Sequence, residues 1–146
     1  MLTLRSLGEL NSSSQHTKRT VSEIDLDAEL PKDAILVKNS AFSLDPYMRG
    51  RMRDAKIPSY TPAFDLGKPI TSAGIGQVVK SSSSEFSKGD TVLAFQSVQE
   101  YNVLSGDVLK GAKKLDNTIP AHKWLSAAGM PSMTAWLGLC VFARAM

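Results

Sequence analysis

Tyr47 is the residue whose type and setting best suit work on a small molecule. Tyr47 sits in the run Ser43-Leu44-Asp45-Pro46-Tyr47-Met48-Arg49-Gly50-Arg51-Met52. Residues up to Leu44 are apolar or β-compatible, and Asp45-Pro46 then breaks the strand, because proline fixes φ and restrains its neighbour. A large ring with a polar tip is thereby displayed on a turn, and turns on a rigid scaffold are where binding groups collect. Tyr60 lies in the following loop, where an exposed loop tyrosine is the plain reading. Arg49, Arg51 and Arg53 form an alternating basic set; they could meet a phosphate, but a solvated face is the preferred reading.

Metal and disulfide chemistry find little to work with. A single cysteine, Cys140, allows neither an intramolecular disulfide nor a thiolate cluster. The two histidines, His16 and His122, fall in a polar tail and on a predicted helix, with no ligand partner nearby in sequence. No metal site is expected.

The elements that must carry these residues read as short strands. Residues 1–20 are polar and serine-rich and are expected to be poorly ordered. Strands are predicted over Val21–Leu26, from Ile35 to Phe42, over Ile70–Val79, over Thr91–Phe95 and over Gln99–Leu104. Gly74 and Gly76 inside the third of these mark a bulge or a close backbone approach. Gly50–Lys68, with Pro58 and Pro62, reads as a long irregular loop, and such loops in compact domains are functional or disordered. Phe95 ends a strand and could face a cleft, but core packing is the preferred reading. Short strands between Gly/Pro/Ser turns suggest a small antiparallel barrel. After Asn117 the pattern turns helical: Ala121–Ala128 with Trp124 and Leu125 inward, closed by Gly129, then an apolar helix over Met133–Leu139 opened by Pro131.

With 146 residues the chain fits one domain, and a hydrophobic fraction of 42% is that of a globular protein able to build a core. A net charge of +3 is too small to demand an anionic partner. Aromatics at 7% are too few for a base-stacking groove, so no nucleic-acid partner is expected. No apolar run reaches membrane-spanning length, and with one cysteine this leads to the expectation of a soluble, cytoplasmic protein without a membrane partner.

Three separated stretches together carry a resemblance. They are the Ser43–Met52 run, Pro62-Ala63-Phe64-Asp65-Leu66-Gly67-Lys68-Pro69-Ile70 followed by Gly74-Ile75-Gly76-Gln77-Val78-Val79, and Gly129-Met130-Pro131-Ser132-Met133-Thr134-Ala135-Trp136-Leu137-Gly138-Leu139. In this order and spacing, from about Val21 to Leu139, the chain resembles the amino-terminal domain of the zinc-independent medium-chain dehydrogenases/reductases. The branch it is most similar to is the NADPH-dependent alkenal/one oxidoreductases, also called prostaglandin or leukotriene B4 12-hydroxydehydrogenase-like. In the zinc-dependent branch a cysteine follows the second strand and a histidine follows glycine in the later motif; here those places hold Ser43–Pro46 and Lys68.

The resemblance implies a mainly β fold: a GroES-like, partly open antiparallel barrel with short helices at its C-terminal end. It implies residues 1–20 as a poorly ordered segment, 21–128 as the GroES-like domain, and 129–146 as the start of a linker helix. It implies substrate contact at Tyr47 and Tyr60, and contact of Met130 and Thr134 with NADPH. For Thr134 a bond back to its own helix backbone is the competing reading. Ser132 departs from the glycine usual at that place. The implied activity is reduction of the C=C bond of an α,β-unsaturated aldehyde or ketone, and a homodimer is an option for full-length members. The family's Rossmann domain, with its glycine-rich turn, does not follow Leu139. A truncated chain, inactive alone and weak toward NADPH, is therefore expected. The alternative is a non-catalytic GroES-like interaction module docking through its apolar terminal helix. A weaker third reading is an oligonucleotide-binding barrel.

Overall fold

The computed structural model describes residues 2–10, 17–116 and 118–143. Seven strands are described: β1 (Leu2–Leu10), β2 (Thr17–Ile24), β3 (Ala34–Phe42), β4 (Thr71–Ser81), β5 (Thr91–Ser97), β6 (Tyr101–Ser105) and β7 (Lys113–Leu115). Three short α-helices interleave with and follow them: α1 (Tyr47–Arg51), α2 (Gly106–Lys110) and α3 (Met130–Trp136). A 3₁₀ turn (Ala121–Leu125) precedes α3 and a π turn (Leu137–Phe142) continues it.

β6, β3, β4, β5 and β7 form one sheet in that order, antiparallel throughout. β1 and β2 form a separate antiparallel pair. The mainly β, antiparallel fold with short helices matches the expectation. The sequence reading of residues 1–20 as poorly ordered differs from what is found: Leu2–Leu10 pairs along its length with Thr17–Ile24. The leucines at 2, 4, 7 and 10 leave a strand-compatible pattern that the serine-rich stretch obscures. That stretch, Asn11–Gln15, lies outside the described residues together with His16.

β3 opens with four consecutive buried residues, Ala34–Val37, because both its faces are covered. Ile35 and Val37 join Val78, Phe86, Val92, Ala94, Leu104 and Leu109 in the main core. Leu36 points the other way and meets Tyr101, with Ile24, Leu26 and Leu30 from the end of β2 and the loop after it. Each such aliphatic side chain, fully buried, contributes about 1.5–3 kcal/mol.

Gly74 and Gly76 are close-approach positions, as expected. A Cβ on Gly74 would lie 2.5 Å from the Phe42 ring, and one on Gly76 would lie 2.6 Å from the Lys38 carbonyl oxygen. The β3–β4 register shifts between Asn39 and Ala41, opposite this stretch. The polar groups buried here are satisfied by each other: the Gln96 amide donates to Asn39 Oδ1 (2.7 Å), and Asn102 Nδ2 donates to Gln96 Oε1 (3.1 Å) and to the Ser97 carbonyl (2.7 Å). Such a chain of paired amides ties three strands, β3, β5 and β6, in one register at little desolvation cost.

Candidate functional site

The Asp45-Pro46 break does more than expose a turn. Ser43 N–H still donates to the Ala73 carbonyl (2.9 Å), while its own carbonyl accepts from the buried Ser72 hydroxyl. Its hydroxyl donates to Asp45 Oδ1 (2.9 Å). The chain then coils at once into α1, with Met48 N–H on the Asp45 carbonyl. Tyr47 therefore starts a short helix rather than sitting on an open turn. It is half-buried beside the cluster of Met48, Phe64, Ile70 and Val98, and its hydroxyl has no hydrogen-bond partner among the described residues.

Tyr60 is 84% exposed. Its loop is pinned by the arginines, which corrects the solvated-face reading for two of the three. Arg49 is exposed, but the donors of Arg51 and Arg53 are spent on backbone carbonyls of the loop and on Thr71. Phe95, expected in the core, is 51% exposed. Strict alternation in β5 sends Val92, Ala94 and Gln96 inward and Phe95 outward, where the Arg51 guanidinium lies 5.8 Å from its ring.

An open groove of about 530 Å³ runs across the outward face of β4, β5 and β7. Ser43, Ala73 and Leu93 line it together with the charged Lys113, Lys114 and Asp116 around β7 and with Trp124, Leu125, Gly129, Met130 and Met133 from the helical segment. The charges are tied locally. Lys114 Nζ lies 2.8 Å from Asp90 Oδ2, and this bond, with the Ser87 N–H, holds the Asp90 carboxyl below its ordinary value. The Thr118 hydroxyl and then its N–H hold Asp116 down in the same way. Lys113 carries no ion pair among the described residues.

The helical side of the groove turns on Gly129. A Cβ there would lie 2.3 Å from the Trp124 carbonyl oxygen, so only glycine lets the chain fold back on the 3₁₀ turn. Gly129 separates the two segments, as expected, and stands directly before α3, while Ala121–Leu125 tightens from the expected helix to 3₁₀ geometry. The Trp124 Nε1–H faces inward and has no hydrogen-bond partner among the described residues. Met130 lines the groove and is 46% exposed. Thr134 lies one turn on, and its hydroxyl donates to the Met130 carbonyl (2.9 Å). The groove thus unites Met130 with Ser43, four residues before Tyr47. Tyr47, Tyr60 and Thr134 are not among its lining residues. Ser43 and Lys113 were not picked out as site residues from sequence, and Trp124 only as an inward-facing residue; Ser43, ending a strand before Asp-Pro, left a signal there.

Among the described residues no three His, Cys, Asp or Glu side chains come together as a metal site; His122 and Cys140 are exposed. No described helix is long and apolar enough to cross a membrane.

A family model described as the N-terminal domain of oxidoreductase matches residues 10–112, more than half of the chain. The chain belongs to this oxidoreductase N-terminal domain family. Among similar family members is the NADPH-dependent curcumin reductase of Escherichia coli (strain K12), 40% identical over 106 residues, which are 72% of this chain and 29% of that protein. The 2-alkenal reductase (NADP(+)-dependent) of Nicotiana tabacum is 33% identical over 120 residues, 81% of this chain and 34% of that protein. The crystal structure of CurA in complex with NADPH from Vibrio vulnificus aligns with a TM-score of 0.71 and 30% identity, over 94% of this chain and 40% of that one. The chain thus spans about a third of the length of the curated relatives it matches. These relatives bear out the medium-chain reductase resemblance. Met130 and Thr134 lie beyond the segment that the family model matches.

Proposed function

We propose that this chain forms the substrate side of an NADPH-dependent reductase of C=C bonds conjugated to a carbonyl, with Tyr47 and Tyr60 toward the substrate and Met130 and Thr134 toward the cofactor. The observation that carries it is the meeting of Ser43 and Gly129–Met130 in one groove, which brings two motifs about 85 residues apart to the same hollow. The names of the curcumin and 2-alkenal reductases support the substrate class.

The residues present fit one end of the cofactor. The apolar groove, with methionines 130 and 133 along it, suits a flat ring. The pyrophosphate would need a glycine-rich turn opening a helix, and no such run occurs in these 146 residues. When bound, the reduced nicotinamide supplies a hydride to the β-carbon of the conjugated bond. This chain's own part is to hold the substrate plane and shield it from water. The free Tyr47 hydroxyl can donate to a carbonyl oxygen as that oxygen gains charge.

The test is NADPH consumption by the whole protein carrying these residues, with a conjugated enone and its saturated counterpart compared. Turnover of the enone alone, unaffected by a zinc chelator, is expected; no turnover with any enone or enal would end this reading. The exposed Trp136, Leu139 and Phe142 favour a second reading, a protein-interaction module. It would be preferred if the protein lacked turnover yet bound one protein partner with fixed stoichiometry.

A further inference from the structure

We propose that Arg53, beside an Arg51 that ties the same loop to β4, is a positioning residue that fixes the loop carrying Tyr60 before substrate arrives. This deepens the proposed function and rests on the reading of Tyr60 as a substrate contact.

The segment from Met52 to Ile70 contains no helix or strand, a length at which loops in compact domains are functional or disordered. It is nevertheless held at both flanks of Tyr60. One guanidinium spans three carbonyls: Arg53 donates from Nε to Ile57 (2.8 Å), from Nη1 to Gly50 (2.9 Å) and from Nη2 to Thr61 (2.6 Å). Arg51 donates from Nε to the Pro62 carbonyl (3.0 Å) and from Nη1 to Thr71 Oγ1 (3.1 Å), which ties the loop to β4. Its guanidinium also lies 4.0 Å from the buried Phe64 ring. Charged donors to carbonyls are among the stronger hydrogen bonds, and a planar fork presents its donors in a fixed, spread geometry that suits three separate carbonyls.

The result is a fixed backbone beneath an aromatic ring that is itself 84% exposed. Neither arginine forms an ion pair among the described residues. Their charge therefore serves geometry rather than neutralisation. An aromatic wall held in place loses less entropy when a flat substrate settles on it, so the gain is in binding.

The experiment compares Arg53→Met, Tyr60→Ala and the double variant in the whole protein, by enone kinetics and by amide hydrogen exchange. Arg53→Met is expected to speed exchange across residues 55–62 while the sheet amides keep their rates. It should raise KM for the enone about tenfold with kcat and the KM for NADPH unchanged. In the Tyr60→Ala background it should add little to KM, since the residue it positions is gone. Arg53→Lys, which keeps charge and stem but not the fork, should show the same loop-confined exchange and so guards against a merely unfolded variant. Unchanged exchange, or a KM effect that adds in full to that of Tyr60→Ala, overturns the positioning role. If Tyr60→Ala alone leaves KM untouched, the substrate reading of the loop fails and the positioning role with it, whereas faster exchange would still establish the staple.

Discussion

Two segments leave the sheet without a strand of their own, and they are secured in opposite ways. The loop after α1 has no regular structure, yet Phe64 and Ile70 are buried and two guanidinium groups grip its carbonyls. The segment after β7 is largely helical, yet every residue from Met130 to Ala143 is exposed, with large apolar side chains at 133, 136, 139 and 142. Regularity and anchorage are separate properties: a helix satisfies its own backbone and can stand clear of the core, whereas irregular chain must borrow partners. The contrast also separates the two halves of the proposed site. The segment proposed to meet substrate is anchored within the described residues, and the segment proposed to meet the cofactor is exposed and apolar.

The largest way to break this contrast is Phe64→Ala, which removes the buried ring that anchors the irregular loop. It is expected to lower stability by about 3–5 kcal/mol in denaturant unfolding; a loss below about 1 kcal/mol would show that the arginines alone hold the loop. Next is Gly129→Val. Its side chain would strike the Trp124 carbonyl, and overpacking of about 1–3 kcal/mol is expected, with a change in tryptophan emission. Unchanged emission would mean that the elbow carries no fixed geometry.

Acid sharpens the comparison less strongly, through the charges around β7. The folded Asp90 carboxyl is held below its ordinary value of 3.8 by Lys114 and Ser87. Its contribution is therefore complete above that value and disappears as pH falls below it through the folded value. Thermal melts in this range should lose stability in the natural chain and show a flatter slope in Asp90→Asn. The smallest effect is expected from replacing Trp136, Leu139 and Phe142 together by serine. Stability should move by no more than about 0.5 kcal/mol per site, as for exposed positions. Self-association in sedimentation should fall, and a cooperative loss of folding would overturn the unanchored reading of this helix.

Much of the sheet was legible because its strands alternate or run apolar between unmistakable breakers. The glycines of β4 also announced a tight approach before the Phe42 ring gave it a partner. What stayed hidden was long-range and polar. α2 and β7 are five and three residues long, too short for periodicity to register. Nothing in the spacing of Arg51 and Arg53 says that their partners are carbonyls up to eleven residues on and a threonine on the next strand. Phe95 was misplaced because an aromatic in a strand was assigned by type, whereas its face is set by the parity of its neighbours. Of the candidate site, the residue types were readable and the hollow they share was not, because Ser43 and Met130 meet only through the sheet.

The Phe42 ring rests where a side chain on residue 74 would otherwise stand. What is missing from β4 therefore governs the angle at which the chain departs toward Tyr47. A methyl group added at that bare spot would lift the ring and swing the following turn, altering the aperture without touching any residue that lines it. Changes in which molecules are admitted should accordingly be sought in the middle of the sheet as well as around its mouth.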